Sequence, residues 1–547
     1  MTRSCMCFTL AVAALLPAFA PPSVARAQAK PAMVISLAGV KENLDDIAYL
    51  TRAADVPDAG KTAVLFGGAF TQGIDKTRPV AIVITPDAGD FQSVACIPVA
   101  DLEKVMETLK GQGLEPTEVE GGIKEFGDGK FFVKSVGGWA YVAQQKGWLG
   151  TMPADPAALL GDLPKKYNAA VSINVRNIPE EHRKWAVEQI KSGFEQGQAR
   201  IKADTPEERE AQEKVARSAV QGVIDLVEQA ETLQLGLAID PTDKKTYLDV
   251  SLTVIEGSKL AQELAAQSAA KSAFGGFLQP DGAVQFHVAA KLAPSDVAQI
   301  QSLLKGARTK ALQEIDDNPK FDAAQRTAVK DVTSSFLDIV GKSVESGLLN
   351  GGALVKVGDK VDFAAGGFIA DGAQMEAAFR KLVDAGKSDP DFPSVKLNAG
   401  EHAGVKYHRL TAPTPGDAKV FFGDKMDILV GIGGKSAYIA GGPNCETLLK
   451  KVIDQSASGA STVEGQPMHL ALSIGSILKM VNLKEQDALI TDMVDTLAKT
   501  AGNDHVRIHS KLIPRGSVTR LEVDEGVLKL IGVGLKKGGV GLQPNAF

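Results

Sequence analysis

Cysteine is scarce in this chain: four in 547 residues, and two of them, Cys5 and Cys7, fall in the first apolar run. Only Cys96 and Cys445 lie beyond it. That is too few for a disulfide framework, and there is no C-x-x-C spacing to suggest a zinc or redox site. The pair reads as two buried free thiols, with one long-range bridge as the alternative. Aromatic residues make up 5% of the chain and the net charge is −6, with no block of Lys and Arg interleaved with aromatics. Nucleic-acid binding therefore lacks both its electrostatic and its stacking ingredient. Beyond the first residues no window approaches the roughly 18 uninterrupted apolar residues of a membrane span.

Catalytic motifs are missing in the same way. No G-x-S-x-G elbow occurs, and Ser476-Ile477-Leu478-Lys479 is an S-x-x-K without its companion motifs. Gly431-Ile432-Gly433-Gly434-Lys435-Ser436 has the glycines and lysine of a phosphate loop. Leu429 stands where the first glycine belongs, however, and a strand-like run follows where a helix is needed, so the segment reads as a hairpin turn. The seven histidines include His505 and His509 around Arg507, and His402 and His408 beside Tyr407 and Arg409. On a strand each pair would share a face, and an intervening arginine repels a cation. The trio His505, Arg507 and His509 is therefore expected to look outward, with His182 at the surface and His287 in the core. No catalytic, cofactor-binding or metal-binding residue is assigned, and no cofactor is expected.

What the chain does contain is organisation. Met1-Thr2-Arg3, an apolar run from Cys5 to Ala20 and Ala25-Arg26-Ala27-Gln28-Ala29 form the three regions of a secretory signal peptide over 1–29, cleaved after Ala27 or Ala29. The expected location is exported, periplasmic or secreted, with no stable membrane span after leader cleavage. Strands that end in a small polar residue precede helices at Met33 to Leu37, Ala170 to Ile173 and Leu470 to Ile474, with a looser case at Ala283 to Leu292. Each is later followed by a strand pair, clearest where Leu233, Leu235, Leu237, Ile239 alternate on one side of Pro241-Thr242-Asp243 and Leu248, Val250, Leu252, Val254 on the other. That alternation is a hairpin with one apolar face, the mark of an antiparallel sheet.

After the strand pairs come further helix starts, at Asp101 before Leu102, Glu256-Gly257 before Leu260 and Asp371-Gly372 before Met375. Thr205-Pro206-Glu207-Glu208 opens a long amphipathic helix to about Glu231, paired with a charged helix before it; Asp296 to Glu314 and Asp322 to Glu345 are the counterparts in the second half. Two glycine turns, Gly137-Gly138 and Gly433-Gly434, occupy matching places.

The fold class expected is α+β: two duplicated halves, each an antiparallel β-sheet with long amphipathic helices packed on it. The halves span 30–274 and 283–547, with turn-rich residues 275–282 as the linker. The function expected is an exported non-catalytic binding or scaffold protein of the cell envelope or extracellular space, with a protein, a polymer or an apolar ligand as partner. The alternatives are a carrier of a lipid-like apolar ligand held between sheet and helices, and an exported hydrolase without a recognisable motif.

Overall fold

The computed structural model describes residues 30–537 apart from 88, 89, 151, 154, 199–205, 269–271, 320, 388, 390, 391, 459–465, 486 and 501. The leader expected over 1–29 and Thr205 lie outside the described residues. The fold is α+β with an antiparallel sheet.

Four times the chain lays down a strand, a pair of helices, a β-hairpin and a closing helix. The first unit is β1 (Met33–Leu37), α1 (Val40–Ala53), α2 (Pro57–Phe70), β2 (Val80–Asp87), β3 (Asp90–Pro98) and α3 (Leu102–Gly111). The second is β8 (Ala169–Asn174), α4 (Glu180–Gln198), α5 (Pro206–Gln229), β9 (Ala230–Asp240), β10 (Lys245–Val254) and α6 (Lys259–Ser268). Between them lie β4 (Pro116–Val119), β5 (Ile123–Phe126), β6 (Phe131–Val136) and β7 (Trp139–Ala143).

The third unit is β11 (Val284–Lys291), α7 (Pro294–Asp317), α8 (Ala323–Glu345), β12 (Leu348–Val357), β13 (Val361–Phe368) and α9 (Gly372–Gly386). The fourth is β18 (Met468–Ser473), α11 (Ile474–Glu485), α12 (Ala488–Ala498), β19 (His505–Ile513), β20 (Gly516–Asp524) and α13 (Glu525–Lys537). The segment between them holds β14 (Ser394–His402), β15 (Val405–Pro413), β16 (Lys425–Ile432), β17 (Ser436–Gly441) and α10 (Cys445–Ala457).

Local chemistry accounts for the boundaries. Asp101 and Asp371 accept the N–H groups of Lys104 and Gln374 at 3.2 and 3.0 Å, and Asp322 and Gln325 close a reciprocal capping box. At α6 the cap is Ser258, which accepts from Ala261, so the helix starts two residues later than Glu256-Gly257 suggests. The turn Gly137-Gly138 has φ of 60° and 76°, the left-handed pair whose twist matches the flanking strands β6 and β7. Helix α2, which the hydropathy pattern did not announce, packs closely on α1 because a Cβ at Gly60 would lie 2.0 Å from Thr51 Oγ1.

All these strands join one antiparallel sheet in the order β4-β5-β6-β7-β3-β2-β1-β8-β9-β10-β20-β19-β18-β11-β12-β13-β17-β16-β15-β14. Counted from either edge, β1 to β10 and β11 to β20 follow the same succession, and the two runs meet where β10 pairs with β20 from Lys245↔Asp524 to Thr253↔Gly516. The helices also cross this line, α5 lying against α7 and α13 against α1.

Two cores lie on one face of the sheet. Near the β7 end, Val34, Ala81, Val83, Cys96, Trp139 and Tyr141 are covered by the turns Lys146–Leu149 and Pro156–Leu160, including Leu149 and Leu160. Near the β17 end, Leu354, Ala364, Leu429, Tyr438 and Ala440 are covered by α10 and by Phe274 and Phe277. The residues 275–282 expected to link two halves are therefore packed in place. Phe277 is fully buried, and a Cβ on Gly276 would lie 2.0 Å from the Val452 carbonyl oxygen. The glycines that suggest a linker serve close packing instead. Cys96 and Cys445 belong to separate cores as free, buried thiols.

Candidate binding surface

Along β11 the buried residues are Gln285, His287 and Ala289, while Val284, Phe286 and Val288 between them are half-buried. In β1, Val34 and Ser36 are buried, and Met33, Ile35 and Leu37 are not. Strand period fixes the consequence: the face carrying small and polar residues is the covered one, and the face carrying large aliphatic residues is the more open one.

Register makes that open face continuous. Val80, Leu37, Ala169, Leu237, Leu248, Leu521, Ile508, Leu470, Phe286, Ala353, Ala365, Ile439 and Val430 stand opposite one another across thirteen successive strands from β2 to β16. At about 4.8 Å per strand the row runs for roughly 60 Å along the sheet. A second row beside it holds Ile82, Ile35, Val171, Leu235 and Val250. Near the ends of the sheet helices cover this face: α3 packs on Ile97, Val133 and Val142, and α9 packs on Val430 and Ile432. In the middle the cover by the described residues is thinner, and Leu235, Leu237, Val250 and Leu521 are 45%, 40%, 49% and 37% exposed. Isolated exposed leucines are ordinary, but a contiguous row of them is not.

Behind this row, on the covered face, β10 and β20 are joined by charge. Asp249 accepts from Arg520 Nε and Nη2 at 2.7 and 2.8 Å and from the Tyr167 hydroxyl at 2.9 Å, while the Arg520 guanidinium lies 3.7 Å from the centre of the Tyr247 ring. Gly236 opposite Asp249 leaves room for Tyr167, because a Cβ there would lie 2.6 Å from its ring. Burial and the Asp249 carboxylate push the Tyr167 hydroxyl up to about 12. Glu522 meets Lys245 Nζ at 2.9 Å and Arg507 Nη1 at 3.0 Å, and Arg507 reaches Asp524 at 2.7 Å.

His505 completes this network. Its Nδ1 lies 3.2 Å from Asp504 and 3.7 Å from Asp524, and the two carboxylates raise its pKa to about 9. Burial alone would raise Asp524, yet His505 and Arg507 hold it down to about 2. The expectation that His505, Arg507 and His509 look outward is corrected here. They share the covered face, with the Arg507 charge met by two carboxylates. His469 sits between His287 and His509 in adjacent strands, and burial, with His509 beside it, lowers it to about 4.

The other sequence candidates disperse. His402 and His408 lie on either side of the β14–β15 turn, not on one strand. The first meets Asp454 at 2.6 Å; the second is fully buried, with Nε2 2.8 Å from Glu376 and Nδ1 accepting the Asn398 N–H. His182 is half-buried with its ring edge-on to Phe91, and His287 is in the core, 2.5 Å from Ser272 Oγ. Gly431 to Ser436 forms the β16–β17 hairpin, closed by the Gly433 N–H on the Ser436 carbonyl.

Ser476 and Lys479 line a cavity of about 320 Å³ with Ser473, Asp504 and His505. There Ser473 bonds Ser476 at 2.9 Å, and Asp504 accepts from Ser473 and from the Gly475 N–H, which is the capping of α11 and not a nucleophile held by a base. No group of three or more metal-ligating side chains converges among the described residues. Only the alternation of β9 and β10 signalled the apolar row; its extent depends on registers between distant strands. Compared with known protein families, characterised proteins and solved structures, the chain matches none of them.

Proposed function

We propose that this chain is an exported, non-catalytic binding protein of the cell envelope or extracellular space, built by tandem duplication, which holds an elongated lipid-like ligand against the open apolar face of its central strands. The observation that carries the reading is the exposed cluster Leu235, Leu237, Val250 and Leu521, continuous across β9, β10 and β20. Half-exposed aliphatic side chains each gain about 1 kcal/mol when an apolar chain covers them. The exposed cluster spans three adjacent strands, about 10 Å across at about 4.8 Å per strand, wide enough for an acyl chain to lie on it, and the half-buried row extends it to either side. This favours the carrier form of the reading over a general scaffold.

Duplication is supported by the order of strands. With β10 and β20 antiparallel at the centre, the ten strands of each run follow one another outward in the same succession, the order that two fused copies of one unit would give. The apolar face then spans both copies. The export part of the reading rests on the leader pattern over 1–29.

Native mass spectrometry of the purified exported protein, with displacement of a fluorescent fatty acid, tests the reading. Wild type carries or takes up acyl chains; Leu237→Glu and Val250→Glu fold normally, because both positions are exposed, and weaken uptake at least tenfold. Uptake unchanged in both variants, or no uptake by wild type, removes it.

A further inference from the structure

Among the described residues, helix α2 is the one element that turns large apolar side chains away from the molecule on several sides. Val64, Leu65, Phe66 and Phe70 are 38%, 72%, 52% and 42% exposed. At 100° per residue, Val64, Leu65 and Phe66 point in three successive directions, and with Ala69 and Phe70, also exposed, they cover about 240° of the helix circumference. The remaining side is glycine: Gly60 faces Thr51, and Gly67 lies where a Cβ would be 2.6 Å from Leu44. No charged side chain occurs from Thr62 to Ile74; Lys61 precedes the run and Asp75-Lys76 follows it. The second helices of the other three pairs, α5, α8 and α12, all carry charged residues.

We propose that the α1–α2 hairpin docks this protein on a lipid bilayer by inserting the tip of α2 into the acyl-chain region. A groove on a folded partner reaches one side of a helix, about a third of its surface, and would leave Leu65 or Phe66 in water. A fluid hydrocarbon phase surrounds all of them. The charge pattern fits the same occupant: an uncharged stretch enters the apolar layer, and the charged residues at its two ends, the Asp58–Lys61 pair and Asp75-Lys76, lie at headgroup depth. The hairpin leaves the sheet at Leu37 and returns at Val80, two members of the apolar row. The inference stands on α2 alone and goes beyond the ligand reading.

Flotation of the purified protein with vesicles of phosphatidylcholine, alone and mixed with phosphatidylglycerol, tests it. Wild type is expected to float with both, and Phe66→Trp to show a blue-shifted emission that brominated acyl chains quench. The double variant Leu65→Ser/Phe66→Ser, altered only at exposed positions, keeps its circular dichroism and loses at least tenfold in vesicle partitioning. Leu237→Glu floats as wild type does, so the two readings fail separately. The proposal is overturned if wild type does not float, if it floats only with phosphatidylglycerol and salt releases it, if Phe66→Trp emission is unmoved, or if the double variant floats unchanged. It is equally overturned if the double variant only converts a dimer to a monomer with vesicles bound by neither.

Discussion

Removing either partner of the Asp249–Arg520 pair should loosen the join between β10 and β20 out of proportion to its size. Asp249 is almost wholly buried and accepts three hydrogen bonds, two from Arg520 and one from Tyr167. Asp249→Ala leaves a guanidinium on the covered face with no counter-ion and a tyrosine hydroxyl without its acceptor. Truncating one partner of a buried pair costs about 3–5 kcal/mol, and because Arg520 retains contact with solvent the lower end, about 3 kcal/mol, applies. For a cooperative unit the size of each ten-strand run, that is a fall of about 6 °C in melting temperature. Arg520→Ala should cost a similar amount, losing the stacking on Tyr247 as well. The double variant should cost much less than the sum, because the charge left behind in each single variant is gone; the coupling in a double-mutant cycle should exceed about 1.5 kcal/mol. Guanidinium denaturation of the four proteins measures this. Two single costs under about 1 kcal/mol, or costs that simply add, would refute the view that the two runs share one sheet through a charged centre.

Three more outcomes follow from the covered face and the cores. Stability should peak near pH 6.5. His505, raised from 6.5 to about 9, contributes fully below 6.5 and loses its contribution as pH rises through 9. His469, lowered to about 4, stays neutral in the fold and loses stability as pH falls from 6.5 through 4. Each limb amounts to about 3 kcal/mol at most, so in denaturation curves against pH His505→Asn should flatten the alkaline side and His469→Asn the acid side. Asp524, lowered to about 2 against an ordinary 3.8, adds a further loss only below pH 4. Burial pushes the thiols of Cys96 and Cys445 up to about 12 and 11, so a disulfide-exchange reagent at neutral pH should label neither in the native protein and both after denaturation. Gly276→Ala puts a methyl group 2.0 Å from the Val452 carbonyl, and should cost more than about 2 kcal/mol by thermal denaturation, whereas Ala at Gly434, where nothing lies within 4 Å, should cost little.

The helices were the easiest part of this molecule to read, because their signals are local. Asp101, Asp322 and Asp371 cap where a carboxylate before an amphipathic run predicts, and the long helix from Pro206 stops at Gln229, close to Glu231. The β9–β10 hairpin was legible for the same reason. Helix α2 was not, because Val64, Leu65 and Phe66 follow one another with no polar face to set a period. The joining of β10 to β20 could not be read at all, since Asp249 and Arg520 are 271 residues apart and only the folded register brings them together.

Which side of the strands faces inward is not fixed by their pattern. Alternation shows that a strand has two unlike faces, and the usual rule buries the aliphatic one. Here that rule places His505, Arg507 and His509 in solvent, yet their face is the covered one. Arg507 is tolerated there because Glu522 and Asp524 meet it, and His505 because Asp504 and Asp524 do. A buried charge network is a poor source of net stability, since desolvation offsets most of the attraction. A molecule that covers this face and leaves Leu235, Leu237, Val250 and Leu521 half in water forgoes stabilisation that turning the sheet over would supply. Such an arrangement gains its missing burial only when something apolar occupies the open face, and this is the physical reason to read the central strands as a binding surface and not as an unfinished core.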